Sequence, residues 1–355
     1  MSQQEGSEGT SGSPGRSLFL LIFLACLGLT VVLILLSFPA GVYAVFSGGL
    51  STKYSVWNLI RPYVWIGPVP AFVPVGILAG PWFIGLLVVY AAFLVYSTLQ
   101  SRRAWIAITE SFRTGVAELF SSPLIVTITA IGFLIFTTSA VDAAISPFLP
   151  IGTISGDAFE VFLGLTYPPL VEEFGFRVLL IGAVALILSL GRPTRSALNA
   201  LWRPSVVFEG MAVGGGASII IWAAAGLSAV TFGACHVFCG GNNTWQIGKF
   251  PEAFYGGIVL AYLYVKYGFH VAVLTHWGVD YLGSVFSFYG QAAYGIPALS
   301  GSKEFIGQTL VDYDMLLLFG LVSFLLVLYV GIRKFVRSRQ PEAQFNVPLG
   351  GGPVQ

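Results

Sequence analysis

The chain has 355 residues, of which 56% are hydrophobic and 9% are charged, and its formal net charge is +1. An ordinary soluble domain has roughly 25% charged residues, and a chain with a mean hydropathy of +0.83 cannot cover itself with a wettable surface. Composition therefore excludes a soluble globular protein, and no basic cluster suggests a nucleic-acid partner. The cysteines Cys26, Cys235 and Cys239 lie in or beside apolar runs, so we expect no disulfide framework.

Long apolar segments predict an all-α, polytopic membrane protein with about eight transmembrane helices, because each spanning helix needs about 20 mostly apolar residues. Five candidate spans carry no charge, at about 18–38, 77–97, 124–141, 211–235 and 315–332. Three more are shorter or contain ionisable groups, at about 159–190, 252–267 and 270–289. The pattern predicts a disordered cytoplasmic tail at 1–16, a transmembrane domain at 17–339 and a second disordered tail at 340–355.

Two segments between the first three spans do not fit a spanning helix. Residues 64–76 are apolar but contain Pro68, Pro70 and Pro74, which predicts an irregular or re-entrant segment. Residues 99–120 have scattered charges in a partly amphipathic pattern, which predicts a helix lying at the membrane interface.

The distribution of Lys and Arg predicts the orientation in the membrane, because cytoplasmic loops are enriched in these residues. Three loops are rich in them, at 102–113, 192–203 and 333–339. In an eight-span alternation all three loops fall on the same side. We therefore expect a multi-pass protein of the cell membrane with both termini in the cytoplasm.

Two adjacent glutamates, Glu172 and Glu173, lie in an apolar stretch with Arg177 nearby. Ionisable groups inside a membrane are costly and are by default functional candidates. Proline suits the first turn of a helix, so a helix is predicted to begin at Pro168–Pro169. Glu173 can then pair with Arg177 one turn later, whereas Glu172 points about 100° away. Glu172 is therefore the candidate reactive carboxylate, and Glu173 and Arg177 are candidate structural or orienting residues; a purely structural Glu-Glu-Arg network is the alternative.

Two histidines have partners at helical spacing. His236 follows Phe232 by four residues, and His276 precedes Asp280 by four residues, so each pair shares a helix face. A glutamate and a histidine can activate water, while a second imidazole stabilises an oxyanion. Taken singly, such histidines are more often satisfied polar residues than catalysts, and His270 we treat as interfacial.

The same residues could instead bind zinc, because catalytic zinc usually has three protein ligands and a water. The candidate ligands are Glu172, His236 and His276. The His-Glu-x-x-His helix of zinc proteases is absent, however. We therefore expect no cofactor, and zinc is kept as the alternative.

The three motifs in this order resemble those of the CPBP (CAAX protease and bacteriocin-processing, or Abi) family of intramembrane proteases, which includes the type II CAAX prenyl endopeptidases. They are Glu172-Glu173-x-x-x-Arg177, Phe232-x-x-x-His236 and His276-x-x-x-Asp280, within 159–289. The resemblance implies that Glu172 and His236 activate water and that His276 and the residue at 280 hold the oxyanion. Many relatives have Asn where this chain has Asp280, so this side chain must be protonated, orient His276 or act differently.

The leading interpretation is an intramembrane endopeptidase, of the glutamic rather than the metal-dependent type, acting on a membrane-associated substrate such as a prenylated or lipid-anchored protein. A proton- or cation-coupled transporter is the second reading, since intramembrane carboxylates and histidines also form ion relays. No inverted repeat supports it. A catalytically silent membrane scaffold of the same fold is the third.

Overall fold

The computed structural model describes residues 14–113, 116–152, 156–190, 194–209, 215–239, 245–296 and 303–339. The two predicted tails lie outside these ranges, except that the first helix already begins at Pro14. The α-helices are, in chain order, α1 (Pro14–Phe46), α2 (Ala79–Gln100), α3 (Ala104–Arg113), α4 (Pro123–Ile145), α5 (Ala158–Thr166), α6 (Pro168–Glu172), α7 (Ala183–Leu188), α8 (Thr194–Trp202), α9 (Gly216–Phe238), α10 (Lys249–Tyr267), α11 (Phe269–Trp277), α12 (Val285–Tyr294) and α13 (Lys303–Arg339). Wide π-helical segments continue α6 at Glu173–Gly182 and α11 at Gly278–Leu282, and short 3₁₀ turns lie at Val116–Ser121 and Pro204–Val207.

Five helices of the described chain are long and apolar enough to cross a membrane. They are the continuous apolar parts of α1, α2, α4, α9 and α13, at Leu18–Phe46, Ala79–Gln100, Pro123–Ile145, Gly216–Phe238 and Met315–Val336. All five coincide with the charge-free spans predicted from the sequence. The fold is therefore all-α and membrane-spanning, as expected, while the count of eight spans stays a prediction.

Two of the three remaining predicted spans are interrupted helices, whereas 252–267 lies within the continuous helix α10. The 159–190 segment consists of α5, α6, the first π segment and α7, and the break falls before Pro168, where the prolines predict a new helix. Residues 270–289 divide among α11, the second π segment and α12. Gly268 separates α10 from α11 with φ of +106°, a conformation that favours glycine.

Helix α11 forms the centre of the bundle. All nine of its residues are buried, and it packs against α2, α4, α6 and α10. Around it, α9 packs along α10, α13 along α4 and α1 along α12. His276 therefore lies on the most enclosed helix of the described structure.

The 64–76 segment forms strands where the prolines predicted an irregular path. The strands are β1 (Leu59–Ile60), β2 (Tyr63–Ile66), β3 (Val69–Phe72) and β4 (Ile77–Leu78). β2 pairs with β3 and β1 with β4, both antiparallel. Ile66 and Val69 are joined by a two-residue turn with Gly67 at φ of +60°, which suits a tight hairpin. Pro70 is tolerated because each sheet has only two strands, and both strands are edges.

The predicted amphipathic segment at 99–120 contains α3, which is a short helix as expected. Its position at a membrane interface stays a prediction.

Candidate active site

Helix α6 positions the two glutamates. It starts at Pro168, which has no backbone N–H to leave unpaired, and it runs directly into the π segment that begins at Glu173. Glu172 lines a cavity, whereas Glu173 is completely buried. The two adjacent carboxylates therefore occupy different environments, as their rotation around the helix predicts.

Glu173 links two partners. One carboxylate oxygen, Oε2, lies 3.1 Å from Nε of the equally buried Arg177, which is the i, i+4 pair predicted from the sequence. The other, Oε1, accepts a hydrogen bond from Nδ1 of His276 at 2.9 Å. The Arg177 guanidinium also lies over the Phe232 ring, 4.3 Å from its centroid. Glu173 thus orients His276 as well as neutralising Arg177.

The contact between Glu173 and His276 was not foreseen. Their separation of 103 residues carries no periodic signal, so the sequence pattern indicated only the local partner of Glu173. The buried glutamate uses its second oxygen for His276.

His276 lies among three carboxylates. Its Nε2 is 3.5 Å from Oδ2 of Asp280 and 3.9 Å from Oε2 of Glu172, while its Nδ1 is held by Glu173. His276 is in α11 and Asp280 is in the following π segment, but the two side chains still lie close together, as their four-residue spacing predicts. At 3.9 Å the Glu172 carboxylate is beyond direct hydrogen-bond distance of this nitrogen.

His236 approaches from the last turn of α9. Its Nδ1 lies 2.9 Å from the carbonyl oxygen of Phe232. A carbonyl only accepts, so Nδ1 carries the proton, and the neutral ring keeps a lone pair on Nε2. The Phe232 ring meets both imidazoles edge-on, with centroids 4.5 Å from His236 and 5.7 Å from His276.

A cavity of about 460 Å³ joins these groups. All the predicted catalytic side chains line it, together with Phe232. Its other walls are mainly apolar or small and come from the N-terminal half of α10 and from α4 and α5, with residues such as Leu134, Val161, Leu165, Gly256 and Leu260. In the described structure the three sequence motifs therefore meet at one concave site.

Residues 154–282 match the family model described as type II CAAX prenyl endopeptidase Rce1-like. This segment is similar to an Rce1-like domain, and we use that name for residues 154–282. The Rce1-like domain contains every residue of the three motifs, and the match supports an intramembrane CAAX protease as its general class. No curated protein and no solved structure matches the chain.

A side chain from outside the Rce1-like domain also lines the cavity. Tyr63 of β2 contributes to the wall, and its ring meets Tyr167 edge-on at 5.0 Å. Burial, and next the nearby Glu172 carboxylate, raise the pKa of Tyr63 to about 12. Tyr63 therefore keeps its hydroxyl proton at neutral pH and can donate a hydrogen bond to a bound ligand. The sequence analysis missed this residue because the hairpin itself was not predicted.

The hairpin packs directly on the π segment of the Rce1-like domain. Trp65 lies against Phe176, with ring centroids 5.5 Å apart, and Phe176 in turn meets Phe232 at 5.3 Å. A Cβ atom on Gly175 would collide with the backbone of Trp65. A glycine at this position therefore lets the hairpin approach the helix that carries Glu172.

The cysteines and the third histidine have partners that the sequence did not indicate. Cys235 and Cys239 flank His236 and are joined as a disulfide, four residues apart at the end of α9, which is one local link and not a disulfide framework. Cys235 Sγ also lies 3.5 Å from the carbonyl oxygen of Pro68 in the hairpin turn. His270 is completely buried, stacks on Trp202 at 5.5 Å and does not line the cavity, and its position at a membrane interface stays a prediction.

The absence of a metal at this site stays a prediction. In the described residues no group of three or more His, Cys, Asp or Glu side chains is arranged to hold a metal ion. Nδ1 of His276 is used by Glu173, and Nδ1 of His236 is used by a backbone carbonyl. Only the two Nε2 atoms and the Glu172 and Asp280 carboxylates face the shared space, and we derive no catalytic step through a metal.

Proposed function

We propose that this protein is an intramembrane endopeptidase that hydrolyses a peptide bond of a prenylated CAAX-type substrate. The observation that carries the proposal is the convergence of Glu172, His236, His276 and Asp280 on one cavity within the segment that matches the endopeptidase family. A CAAX box is the carboxy-terminal sequence whose cysteine becomes prenylated. Such a substrate brings a peptide and a lipid to the membrane, and the cavity offers both polar and apolar walls.

Glu172 is the proposed general base. Its carboxylate takes a proton from a water, and the resulting hydroxide attacks the carbonyl carbon of the scissile bond. His236 assists because its free Nε2 lone pair accepts a hydrogen bond from the same water and orients it. When the tetrahedral intermediate collapses, the carbon–nitrogen bond breaks and Glu172 returns the proton to the leaving amine. Water is the only co-reactant, and every proton is accounted for.

His276 is the proposed oxyanion donor. With its Nδ1–H donated to Glu173, His276 can offer a second N–H only as the imidazolium, a form that the three surrounding carboxylates favour. Its Nε2–H is then directed toward the space beside Glu172, where the carbonyl oxygen would become negative. Donors fixed before the reaction stabilise this developing charge most effectively. Asp280, 3.5 Å from the same Nε2, supports the orientation and charge of the imidazole.

Glu173 and Arg177 act through other residues and are positioning groups. Glu173 holds the His276 ring, and Arg177 neutralises Glu173 and packs on Phe232. Removing either side chain releases a group that faces the cavity, although neither lines it.

The direct experiment uses the full chain purified into liposomes with a farnesylated peptide that ends in a CAAX box. We expect cleavage by the wild-type protein and a loss of about 10²–10⁴-fold or more in Glu172→Ala and His236→Ala, the usual contribution of acid–base groups. The matched control is Glu160→Gln, because Glu160 lines the same cavity and is exposed at the start of α5. Cleavage at the wild-type rate by Glu172→Ala would defeat the assignment.

A second arm of the experiment separates metal-free from zinc-dependent hydrolysis. Activity should persist after dialysis against a strong chelator, and metal analysis of the active protein should find no stoichiometric zinc. Activity that disappears with the chelator and returns with zinc would replace the proposed mechanism. A protein that moves protons across the liposome membrane but cleaves no peptide would favour the transporter reading instead.

A further inference from the structure

A second polar group lies in the same cavity, away from the three motifs. Lys249 and Glu252 are the first and fourth residues of α10 and form an ion pair. The Lys249 ammonium also lies over the Trp245 ring, 4.2 Å from its centroid. All three side chains line the cavity, and none of them has a role in the proposed chemistry.

Lys249 is the only lysine or arginine among the described residues that line the cavity. The other charged residues of the lining are acidic, namely Glu160, Glu172, Glu252 and Asp280. Lys249 shares the cavity with His236 and Asp280 of the motifs. Outside the three motifs, Lys249 is therefore the favourable place for an anionic group of a ligand.

The ammonium group keeps the capacity for another partner. It has three N–H donors, of which Glu252 engages one side and the Trp245 ring covers another. Its side chain is 15% exposed, and that exposure is toward the cavity it lines. The N-terminal end of α10, where Lys249 lies, also carries the positive end of the helix dipole, which favours an anion.

We propose that Lys249 binds the terminal carboxylate of the peptide substrate. The inference rests on the proposed function and deepens it by naming the end of the substrate that Lys249 recognises. A CAAX box ends the protein, so a bond cut inside the box lies at most three residues from a free carboxylate. Three extended residues span about 10 Å, and Lys249 lines the same cavity as the catalytic groups.

A purely structural ion pair is the competing explanation. In that case Lys249 only neutralises Glu252, which lies near Asp142 of α4, and its loss would weaken the activity toward every substrate alike. The two explanations differ in one measurable quantity, which is the preference for a free carboxylate over a neutral carboxamide at the substrate terminus.

The experiment therefore compares two farnesylated CAAX peptides that differ only in a terminal carboxylate or carboxamide. Binding is measured to the full chain in lipid nanodiscs with Glu172→Gln, which prevents turnover, and kcat/KM is measured with the unmodified enzyme. A charge-assisted hydrogen bond is expected to make the acid bind about tenfold or more tightly than the amide. Lys249→Gln should reduce that ratio to about one, and Lys249→Arg should keep most of it.

Lys266→Gln is the matched control, because Lys266 is on the same helix, is exposed and does not line the cavity. It should leave the acid-to-amide ratio unchanged. Equal binding of the two peptides by the protein that retains Lys249, or a preference that survives Lys249→Gln, would refute the proposal. If Lys249→Gln does not fold, the acid-to-amide binding ratio is compared between the protein with Lys249 and the Lys249→Arg variant. The proposal requires an acid preference in both. A clear acid preference without any cleavage would reject the proposed protease function while supporting the carboxylate site.

Discussion

Removing Arg177 should destabilise the protein far more than removing a surface arginine. Arg177 and Glu173 are both completely buried, and their side chains are 3.1 Å apart. Breaking a buried ion pair by deleting one partner costs about 3–5 kcal/mol, because an uncompensated charge stays behind. The hydrogen bond from His276 still satisfies part of the Glu173 carboxylate, so we expect Arg177→Met to lie near the lower end of that range. At about 3 kcal/mol, the ratio of unfolded to folded protein rises by roughly two orders of magnitude.

The assay is reversible unfolding in mixed micelles, with Arg203→Met as the matched control. Arg203 pairs with Glu209 at the same 3.1 Å, but the two side chains are 41% and 51% exposed. An exposed pair contributes about 0–1 kcal/mol. The double variant Glu173→Gln with Arg177→Met should be more stable than the sum of the single changes predicts, because no buried charge is left unpaired. If Arg177→Met costs no more than Arg203→Met, the buried pair does not stabilise this site.

Three further outcomes are expected. Asp280→Asn should keep substantial activity in the liposome cleavage assay, because an amide can still support the His276 ring; complete loss together with loss of bound zinc would contradict the metal-free role. Gly175→Ala should lower thermal stability and cleavage together, since the new Cβ collides with Trp65, and an unaffected variant would show that the hairpin approach is not needed. Cysteine labelling in intact cells should reach the 192–203 loop only from the cytoplasm; labelling only from outside would reverse the predicted orientation.

The long helices could be predicted because the information for them is local. A continuous apolar run such as the one that forms α1 needs no partner to be recognised, and its length alone indicates a span. The start of α6 was equally visible, because Pro168 marks a first helical turn through its own missing N–H. By contrast, Gly67 and the residues around it form a hairpin whose turn depends on one positive φ angle. The three prolines in the same stretch favoured an irregular or re-entrant segment instead.

The active site could be predicted as a set of residues but not as an arrangement. Helical spacing correctly indicated the pair of Glu173 with Arg177, which lies within a single turn. Helical spacing cannot predict a hydrogen bond between residues 103 positions apart, such as the one from His276 to Glu173. The π-helical geometry that begins at Glu173 was also hidden, because hydrophobic periodicity does not distinguish one wide turn from an ordinary one. The contribution of Tyr63 depends on the hairpin, because β2 packs against the π segment and so brings Tyr63 to the cavity.

The complete burial of α11 separates His276 from the lipid. Nine residues rise only about 14 Å, less than half of the roughly 30 Å of hydrocarbon that a spanning helix must cross. A thicker or thinner bilayer acts first on lipid-facing residues such as Leu35 of α1 and Leu318 of α13, which are exposed on the outside of the bundle. A change in bilayer thickness affects α11 only through the packing of the surrounding helices. The outer helices therefore adjust first when the bilayer thickness changes. We expect the tilt of α1 or α13 to vary more between membranes of different thickness than the distances around His276 do.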